Sequence, residues 1–256
     1  MESKFYQADE HRAEKVQELF ATIARRYDLL NDLMSAGLHR RWKRRVVELA
    51  RGGKAVEVAI GKGKGVLDLC CGTGDIALKF ARQEARVTGV DFTEEMLQVA
   101  KAREWRSLTS PRVGGPRFRA ASWVRADALD LPFRDNSFDV VSVGYGLRNL
   151  ADIERGLREI LRVLRPGGKF LSLDFGKPEA KAFRGLYFAY LRMVLPMLGR
   201  MFCGDPDTHG YILASLPDYP AQRGIRELME SIGYGDCGCE EFCLGAMAIN
   251  YGMKPD

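Results

Sequence analysis

The sequence lacks a long run of uncharged apolar residues. Its most apolar stretch, residues 183–202, is interrupted by charge or proline at Arg184, Arg192, Pro196 and Arg200, whereas a membrane-spanning helix needs about 18 consecutive apolar residues. The first twenty residues alternate in charge, and they have neither the apolar core of a secretory signal nor the acid-poor composition of a transit peptide. These absences argue against a transmembrane span and predict a cytoplasmic protein.

The sequence also lacks the cysteine spacing of a zinc site. Cys237, Cys239 and Cys243 would share one face of a strand, but structural zinc usually takes four ligands from turns that carry paired cysteines. In a chain without a secretory signal, reduced thiols are the simplest interpretation of the six cysteines. We therefore expect no metal ion.

Positive charge is concentrated in one segment. The chain carries a net charge of +5, and much of the excess lies in residues 39–45, His-Arg-Arg-Trp-Lys-Arg-Arg. No nucleic-acid-binding module accompanies this run, so nucleic acid is not an expected partner. Two interpretations stay open, a solvated helix face and contact with an anionic membrane surface.

A glycine-containing loop occupies residues 66–75, Val-Leu-Asp-Leu-Cys-Cys-Gly-Thr-Gly-Asp. The apolar residues predict a buried strand that ends in a Gly-x-Gly turn, and Asp75 is expected to open and cap the following helix. Dinucleotide-binding loops carry a third glycine, but Ala77 and Leu78 occupy that region here. Because Asp68 and Asp75 flank the turn, a pyrophosphate would be repelled and a cationic ligand with an amino group would be favoured.

S-adenosylmethionine (AdoMet) is a ligand of that kind, because it carries a sulfonium and an α-ammonium group. Residues 68–74 resemble the Asp-x-x-x-Gly-x-Gly motif of class I AdoMet-dependent methyltransferases. A second predicted strand ends on Asp91, 23 residues after Asp68, where nucleoside-binding α/β units place the carboxylate that takes ribose hydroxyls. That carboxylate alone does not separate AdoMet from NAD.

An amino-terminal segment, residues 20–35, continues into four spaced residues, Gly37, His39, Trp42 and Lys43. The set closely resembles the amino-terminal signature of the ubiquinone/menaquinone biosynthesis C-methyltransferases. In that family the segment lies over the methyl-donor site and helps to shape the quinol pocket, so the resemblance implies that Tyr27 and Asn31 contact substrate. On physical grounds alone, packing or capping roles for these residues and for His39 stay open.

Three later segments extend the resemblance. Residues 127–128, Asp-Ala, follow a predicted third strand, in the place where related methyltransferases contact adenine. Residues 146–149, Gly-Leu-Arg-Asn, resemble the quinone C-methyltransferases, many of which have serine where Gly144 stands, so a backbone contact is expected there. Residues 164–168, Leu-Arg-Pro-Gly-Gly, resemble a turn sequence that recurs throughout class I methyltransferases, so a turn is expected there. The expected fold is α/β, a class I methyltransferase Rossmann-like fold whose seven-stranded, mostly parallel sheet has an antiparallel C-terminal hairpin strand.

The resemblance implies AdoMet-dependent C-methylation of a prenylated quinol ring. Residues 70–75 and 144–149 also resemble the plant and cyanobacterial branch that methylates demethylphylloquinone. Demethylmenaquinol or demethylphylloquinol is therefore favoured over a benzoquinol of the ubiquinone pathway. The alternatives are a methyltransferase of another small hydrophobic phenol and a catalytically inactive scaffold with the AdoMet fold. The missing third glycine disfavours a dehydrogenase, and the retained loop and Asp91 disfavour the scaffold.

The site residues follow from these motifs and from the family resemblance. We assign the cofactor to Asp68, Gly72, Thr73, Gly74, Asp91, Phe92, Met96, Asp127, Ala128 and Gly144. We assign the substrate to Tyr27, Asn31, Arg148 and Asn149. The resemblance offers Arg148 as the group that assists loss of the phenol proton, through its cationic field or a bound water, because a charged guanidinium is not a proton acceptor. A structural ion pair is the competing interpretation, and His39 and Tyr27 are the alternative catalytic candidates.

One domain in four parts is expected. The parts are a helical cap (1–53), an AdoMet-binding core (54–175), lid helices over the substrate pocket (176–218), and a C-terminal helix and hairpin (219–256). Residues 54–65 should be a linker, residues 105–121 an exposed loop, and the lid should break near Pro196. We expect the protein to bind its prenylated quinol at the inner face of the membrane. The oligomeric state stays open, with a homodimer as one alternative.

Overall fold

The computed structural model describes residues 12–51, 63–109, 119–203 and 207–256. Within these ranges the chain forms a seven-stranded sheet. Its strands are β1 Gly65–Leu69, β2 Arg86–Asp91, β3 Ser122–Arg125, β4 Phe138–Gly144, β5 Leu164–Phe175, β6 Gly235–Phe242 and β7 Met247–Met253.

In space the strands follow the order β3-β2-β1-β4-β5-β7-β6. Neighbours from β3 to β5 run parallel, whereas β7 runs antiparallel to both β5 and β6. The predicted mostly parallel sheet with an antiparallel C-terminal strand is therefore confirmed. The chain reverses its direction of sheet growth between β1 and β4, and α/β folds bind ligands at the carboxyl ends of strands around such a switch point.

Helices cover both faces of the sheet. They are α1 Arg12–Ile23, α2 Tyr27–Ser35, α3 His39–Arg51, α4 Asp75–Ala81, α5 Glu94–Thr109, α6 Ile153–Val163, α7 Lys181–Leu198, α8 Asp207–Ser215 and α9 Ala221–Ile232. A 3₁₀ turn, Leu147–Asn149, follows β4. None of the helices in the described ranges is long and apolar enough to cross a bilayer.

Alternating side chains along β1 supply two apolar layers. Val66 packs in the layer that contains α3 and α4, whereas Leu67 and Leu69 pack in the layer that contains α6 and α9. A third apolar cluster joins α1, α2, α7 and α8, and it includes Leu19 and Leu191. The amino-terminal helices therefore pack directly against the helices expected to form the lid.

The break expected near Pro196 lies two residues beyond it. Helix α7 runs from Lys181 to Leu198 with Pro196 inside it, and a π-helical turn, Gly199–Cys203, follows. Proline has no N–H to donate to the preceding turn and its ring crowds that turn, which weakens the helix close to its carboxyl end. The described lid therefore begins as one long helix, with α8 after it.

Loops are predicted at residues 54–65 and 105–121, and the structure describes only part of each. The loop predicted for residues 105–121 begins later than expected, because α5 extends to Thr109. Residues 110–118 and most of the linker predicted for residues 54–65 lie outside the described residues.

Candidate active site

A cavity of about 850 Å³, including its open mouth, lies at the carboxyl ends of β1, β2, β3 and β4. Phe20 of α1 and Tyr27 of α2 line it from the amino-terminal helices. The lining includes seven of the ten residues assigned to the cofactor, Gly72, Asp91, Phe92, Met96, Asp127, Ala128 and Gly144. The fold thus brings together residues from four strand ends, and we call this space the cofactor cavity.

Asp91 ends β2 with both carboxylate oxygens held by backbone amides. Its Oδ2 accepts a hydrogen bond from the N–H of Gly72 at 2.8 Å, and its Oδ1 accepts one from the N–H of Thr93 at 2.9 Å. Burial raises the pKa of Asp91, and these amide bonds oppose the shift. A carboxylate oxygen can accept more than one hydrogen bond, so Asp91 retains capacity for a pair of hydroxyls.

Asp68 lies beneath the glycine loop rather than on the wall of the cofactor cavity. It is 1% exposed, its Oδ1 accepts a hydrogen bond from the Ser142 hydroxyl at 2.7 Å, and its Oδ2 accepts one from the N–H of Ala77 at 2.9 Å. Burial raises the pKa of Asp68 to about 7. With Thr73 and Lys43 it lines a separate cavity of about 300 Å³, which we call the loop cavity.

Asp75 begins α4 but does not cap it, so that prediction is wrong. Gly74 is the N-cap, with φ of 76°, and no side-chain cap hydrogen bond forms. The carboxylate of Asp75 lies 3.1 Å from Nζ of Lys43 and 3.2 Å from both Nζ of Lys79 and Nη2 of Arg103. Burial would raise the pKa of Asp75, but the three cations together hold it well below its usual range.

Strained backbone marks the corner between β1 and β4. Cys70 and Tyr145 follow these strands with φ values of 51° and 62°, which residues other than glycine rarely adopt and which concentrate at ligand sites. Gly146 closes the same corner, because a Cβ there would lie 2.3 Å from the Cβ of Cys70. The first residue of the Gly-Leu-Arg-Asn segment must therefore be glycine.

The chemistry of the cofactor cavity fits AdoMet. Asp91 supplies acceptors for a ribose, and Asp127 is an exposed acid beside the buried apolar side chains of Ala128 and Met96, as an adenine with its amino group requires. A Cβ on Gly72 would meet nothing nearer than 3.9 Å, so the loop leaves room beside its backbone. Among the described residues, no three His, Cys, Asp or Glu side chains cluster as a metal site would require.

An apolar groove of about 1320 Å³, including its open mouth, lies between α2 and α7. Tyr145 lines both this groove and the cofactor cavity. A cavity of about 320 Å³ beside Tyr145, which we call the central cavity, is lined in part by Tyr27, Asn31 and Arg148. Three of the four residues assigned to the substrate therefore lie together, and the fourth, Asn149, lines the cofactor cavity.

Arg148 is buried in an ion pair. Its Nη1 donates to Oδ1 of Asp174 at 2.7 Å and to the carbonyl oxygen of Tyr145 at 3.1 Å, while its Nη2 donates to the hydroxyl of Tyr211 at 3.0 Å. Burial alone would lower the pKa of Arg148, but Asp174 outweighs it and raises the pKa further above its ordinary value. The guanidinium therefore stays charged, and a buried carboxylate balances that charge.

His39 lines the apolar groove but not the cofactor cavity. Its Nε2 lies 3.1 Å from Oδ1 of Asp32, and its Nδ1 is buried without a hydrogen-bond partner among the described residues. Burial and the nearby Lys43 lower the pKa of His39 to about 4. The imidazole is therefore neutral at pH 7, with a proton on one ring nitrogen and a lone pair on the other.

Sequence reasoning missed two residues of this region, Tyr145 and Asp174, and it placed Lys43 both in the amino-terminal signature and in a basic run. Asp174 lies near the carboxyl end of β5, the neighbour of β4, so the rule that ligand sites gather at strand ends could have found it. Lys43 was assigned to a solvated or lipid-facing basic run, but it is 4% exposed. It lies between Trp42 and Val46 on the buried side of α3, a position that helical periodicity could have indicated.

Sequence comparison finds relatives that match almost the whole chain. A demethylmenaquinone methyltransferase from Desulfitobacterium hafniense is 35% identical over 248 residues, which are 95% of this chain and 91% of that protein. A ubiquinone/menaquinone biosynthesis C-methyltransferase UbiE from Azotobacter vinelandii is 36% identical over 250 residues, 96% of this chain and 92% of that protein.

Structural comparison supports the fold. A SAM-dependent methyltransferase from Aquifex aeolicus superposes with a TM-score of 0.56 at 16% identity, covering 89% of this chain and 97% of that one. The [4+2]-cyclase SpnF superposes with a TM-score of 0.60 at 18% identity, covering 95% and 96%. At these identities the likeness shows the fold alone, and it confirms the predicted methyltransferase fold.

The model of the ubiE/COQ5 methyltransferase family matches residues 7–254. The matched region contains every strand of the sheet and each residue assigned above to the cofactor or the substrate. The chain therefore belongs to the ubiE/COQ5 methyltransferase family.

Proposed function

We propose that this protein transfers a methyl group from AdoMet to a ring carbon of a prenylated quinol in quinone biosynthesis, with demethylmenaquinol or demethylphylloquinol preferred. One observation carries the proposal: Tyr145 lines both the acid-containing cofactor cavity and the apolar groove. Such a groove suits an aromatic ring with a long hydrocarbon tail. The names of the relatives from D. hafniense and A. vinelandii support the same substrate class.

Methyl transfer to a ring carbon places specific demands on the residues of the site. When bound, AdoMet supplies an electrophilic methyl group on a sulfonium. A ring carbon becomes nucleophilic as its neighbouring hydroxyl approaches phenolate, so the protein must align this carbon, exclude water, and assist loss of the hydroxyl proton before methyl transfer and of the ring C–H proton after it. The oxygen regains one proton, so one proton is released overall. The buried residues of the central cavity, among them Asn31 and Arg148, meet the first two needs.

Arg148 is proposed to favour loss of the hydroxyl proton by hydrogen bonding. Because Asp174 balances its charge, the field of Arg148 is small beyond its immediate neighbours. Its influence on substrate is therefore direct, within the central cavity, or passes through the hydroxyl of Tyr211. Tyr27 lines the same cavity, and burial raises the pKa of its phenol, so it stays protonated and acts as a hydrogen-bonding group.

His39 is proposed as the group that accepts a proton. It is neutral at pH 7 and lines the groove, and Asp32, whose Oδ1 lies 3.1 Å from Nε2, would stabilise the imidazolium. A base whose conjugate acid has a low pKa suits a strongly acidic proton. The ring C–H is such a proton after methylation, because its loss restores aromaticity.

Contact with a membrane surface is proposed from the exposed face of α7. Large apolar side chains recur on this face at three- and four-residue intervals, Leu186, Tyr190, Met193, Met197 and, in the following turn, Met201, with exposures of 67%, 39%, 71%, 53% and 63%. Leu186 and Tyr190 also line the apolar groove, so this stripe is continuous with its mouth. Arg41 and Arg44 of α3 are exposed and can attract anionic lipid.

The direct test incubates the purified protein with labelled AdoMet and a panel of demethylated naphthoquinols and benzoquinols. We expect a ring-methylated product, identified by mass spectrometry, with faster turnover of naphthoquinols. An O-methylated product would favour the alternative of a different phenol substrate. Binding of AdoMet without methylation of any quinol would contradict the proposal and favour the scaffold.

A further inference from the structure

Lys43 is a buried cation at the boundary between the amino-terminal helices and the glycine loop. Its side chain is 5% exposed, and its Nζ lies 3.1 Å from Oδ2 of Asp75. It lines the loop cavity, which shares Tyr27, Cys70, Gly72 and Gly144 with the cofactor cavity. A cation on α3 therefore reaches the side of the cofactor cavity that is bounded by the loop.

The charges around the loop leave positive charge in excess. Lys43, Lys79 and Arg103 all contact the one carboxylate of Asp75. Arg103 also pairs with Asp28 at 2.7 Å, so these three cations share two carboxylates. Lys79 and Arg103 are 25% and 26% exposed, and water partly solvates them, whereas Lys43 has almost no access to water.

The remaining acid of the loop cavity does not remove this excess. Asp68 is fully buried, and burial raises its pKa to about 7, so near neutral pH a large fraction of it is uncharged. Its oxygens accept hydrogen bonds from Ser142 and Ala77, whereas the ion pair of Lys43 is with Asp75. Since a buried cation is costly unless it is fully paired, the loop cavity is suited to receive an additional anion.

The methionine part of the cofactor has a carboxylate that would lie in or beside the loop cavity. With the ribose at Asp91 and the adenine beside Asp127, the methionine end points to the loop side of the cavity, towards Gly72 and Gly144. That end bears an ammonium and a carboxylate. We propose, resting on the proposed function, that Lys43 binds the carboxylate of the cofactor's methionine part.

This assignment gives α3 a role in ligand selection. A ligand that keeps the adenosine, the sulfonium and the amino group but lacks the carboxylate would leave Lys43 paired only with Asp75, which Lys79 and Arg103 also contact. The protein should therefore discriminate against decarboxylated AdoMet, which differs from AdoMet only in that group.

The test measures the affinity of both ligands by calorimetry, without substrate or turnover. Wild-type protein should bind AdoMet at least about tenfold more tightly than decarboxylated AdoMet, the effect expected for losing a hydrogen bond to a charged group. In Lys43→Met the two affinities should become nearly equal, mainly because AdoMet binds more weakly. Lys43→Gln serves as a second variant if the methionine variant does not fold, as judged by thermal unfolding.

Lys79→Met is the matched control, because Lys79 contacts the same carboxylate at 3.2 Å but lines neither cavity. It should keep the wild-type preference for AdoMet. If Lys43 only holds Asp75 in place, Lys43→Met will weaken both ligands equally and the preference will persist, which overturns the proposal. Equal binding of both ligands by the wild type overturns it too, while the proposed function stands. Failure of the wild type to bind AdoMet would instead overturn the proposed function.

Discussion

Arg148 and Asp174 form a 2.7 Å ion pair in which the two side chains are only 2% and 3% exposed. Lysine cannot bridge Asp174 and Tyr211 as the planar guanidinium does. We therefore expect Arg148→Lys to lower kcat at least about tenfold with little change in AdoMet affinity, since the lost interaction acts on substrate. Arg162→Lys, at a more exposed arginine paired with Glu159, should leave kcat unchanged. Normal turnover of a correctly folded Arg148→Lys protein would return Arg148 to a structural role.

Asp91 is expected to carry much of the affinity for the ribose. Asp91→Ala leaves two hydroxyls without acceptors and should weaken AdoMet binding by about 1.5–3 kcal/mol, the range for hydrogen bonds to a charged group. Calorimetry measures the loss directly, and Asp130→Ala, an exposed acid outside the cavity lining, is the control. Unchanged affinity in Asp91→Ala would remove this residue from the cofactor site.

The buried His39 predicts a component of the pH dependence of stability. Its pKa is about 4 in the folded protein, below the ordinary 6.5, so between these values the unfolded chain binds more protons. The free energy of unfolding should therefore fall as pH drops from about 6.5 to 4 on this account.

His39→Gln should remove that component. The gap in unfolding free energy between wild type and variant, measured with urea at pH 7 and pH 5, should shrink or reverse at the lower pH. The comparison must be made between the two proteins, because Asp68, whose pKa is raised to about 7, makes the folded state less stable as pH rises from about 4 to 7. A gap that does not change with pH would mean that His39 titrates normally.

Binding of AdoMet should release a proton from Asp68. Lys43 neutralises the carboxylate of the ligand, so the sulfonium and the ammonium dominate; they favour the charged form of Asp68 and lower a pKa that is about 7 in the free protein. At pH 6.5 the observed binding enthalpy should therefore differ between phosphate and Tris buffers, and affinity should rise with pH until about 7. Asp68→Asn should abolish the buffer dependence, and a dependence that survives in this variant would point to another group.

The exposed face of α7 predicts binding to anionic vesicles. Co-sedimentation should be strong with anionic vesicles, weaker at high salt because exposed charges are screened, and reduced in the double variant Met193→Glu, Met197→Glu. Trp105→Glu changes an equally exposed apolar side chain on α5 and should have no effect. Equal binding to neutral vesicles, with no response to salt, would leave only the apolar part of the proposed contact.

Local patterns were enough to predict the sheet and the loop. Asp91 and the Gly72–Gly74 turn follow apolar runs directly, so short-range spacing located them at strand ends. Local spacing could not predict the burial and the hydrogen-bond partners of Arg148, because Asp174 and Tyr211 are 26 and 63 residues away in sequence. Only the packing of β5 and α8 beside β4 decides that the guanidinium is paired and buried.

Two charged residues were misassigned for the same reason. Asp75 was expected to cap α4, but its carboxylate contacts Lys79 one turn further along the helix and two cations from other helices, Lys43 and Arg103, instead of the backbone. Lys43 was grouped with its basic neighbours although helical periodicity places it on the apolar side of α3. Composition gives the net charge of a segment, whereas the fold determines which of its charged side chains are exposed to solvent and which are buried.

The place of β7 between β5 and β6 bears on how the protein is assembled during synthesis. Both neighbours are complete in the nascent chain before β7 is made, and in the sheet β6 pairs with β7 alone. Until β7 is inserted, the side of β5 that will pair with Met247–Met253 is an unpaired strand edge, which invites association with other chains. The newly made protein therefore carries an unpaired edge in the middle of its sheet until β7 is inserted between β5 and β6.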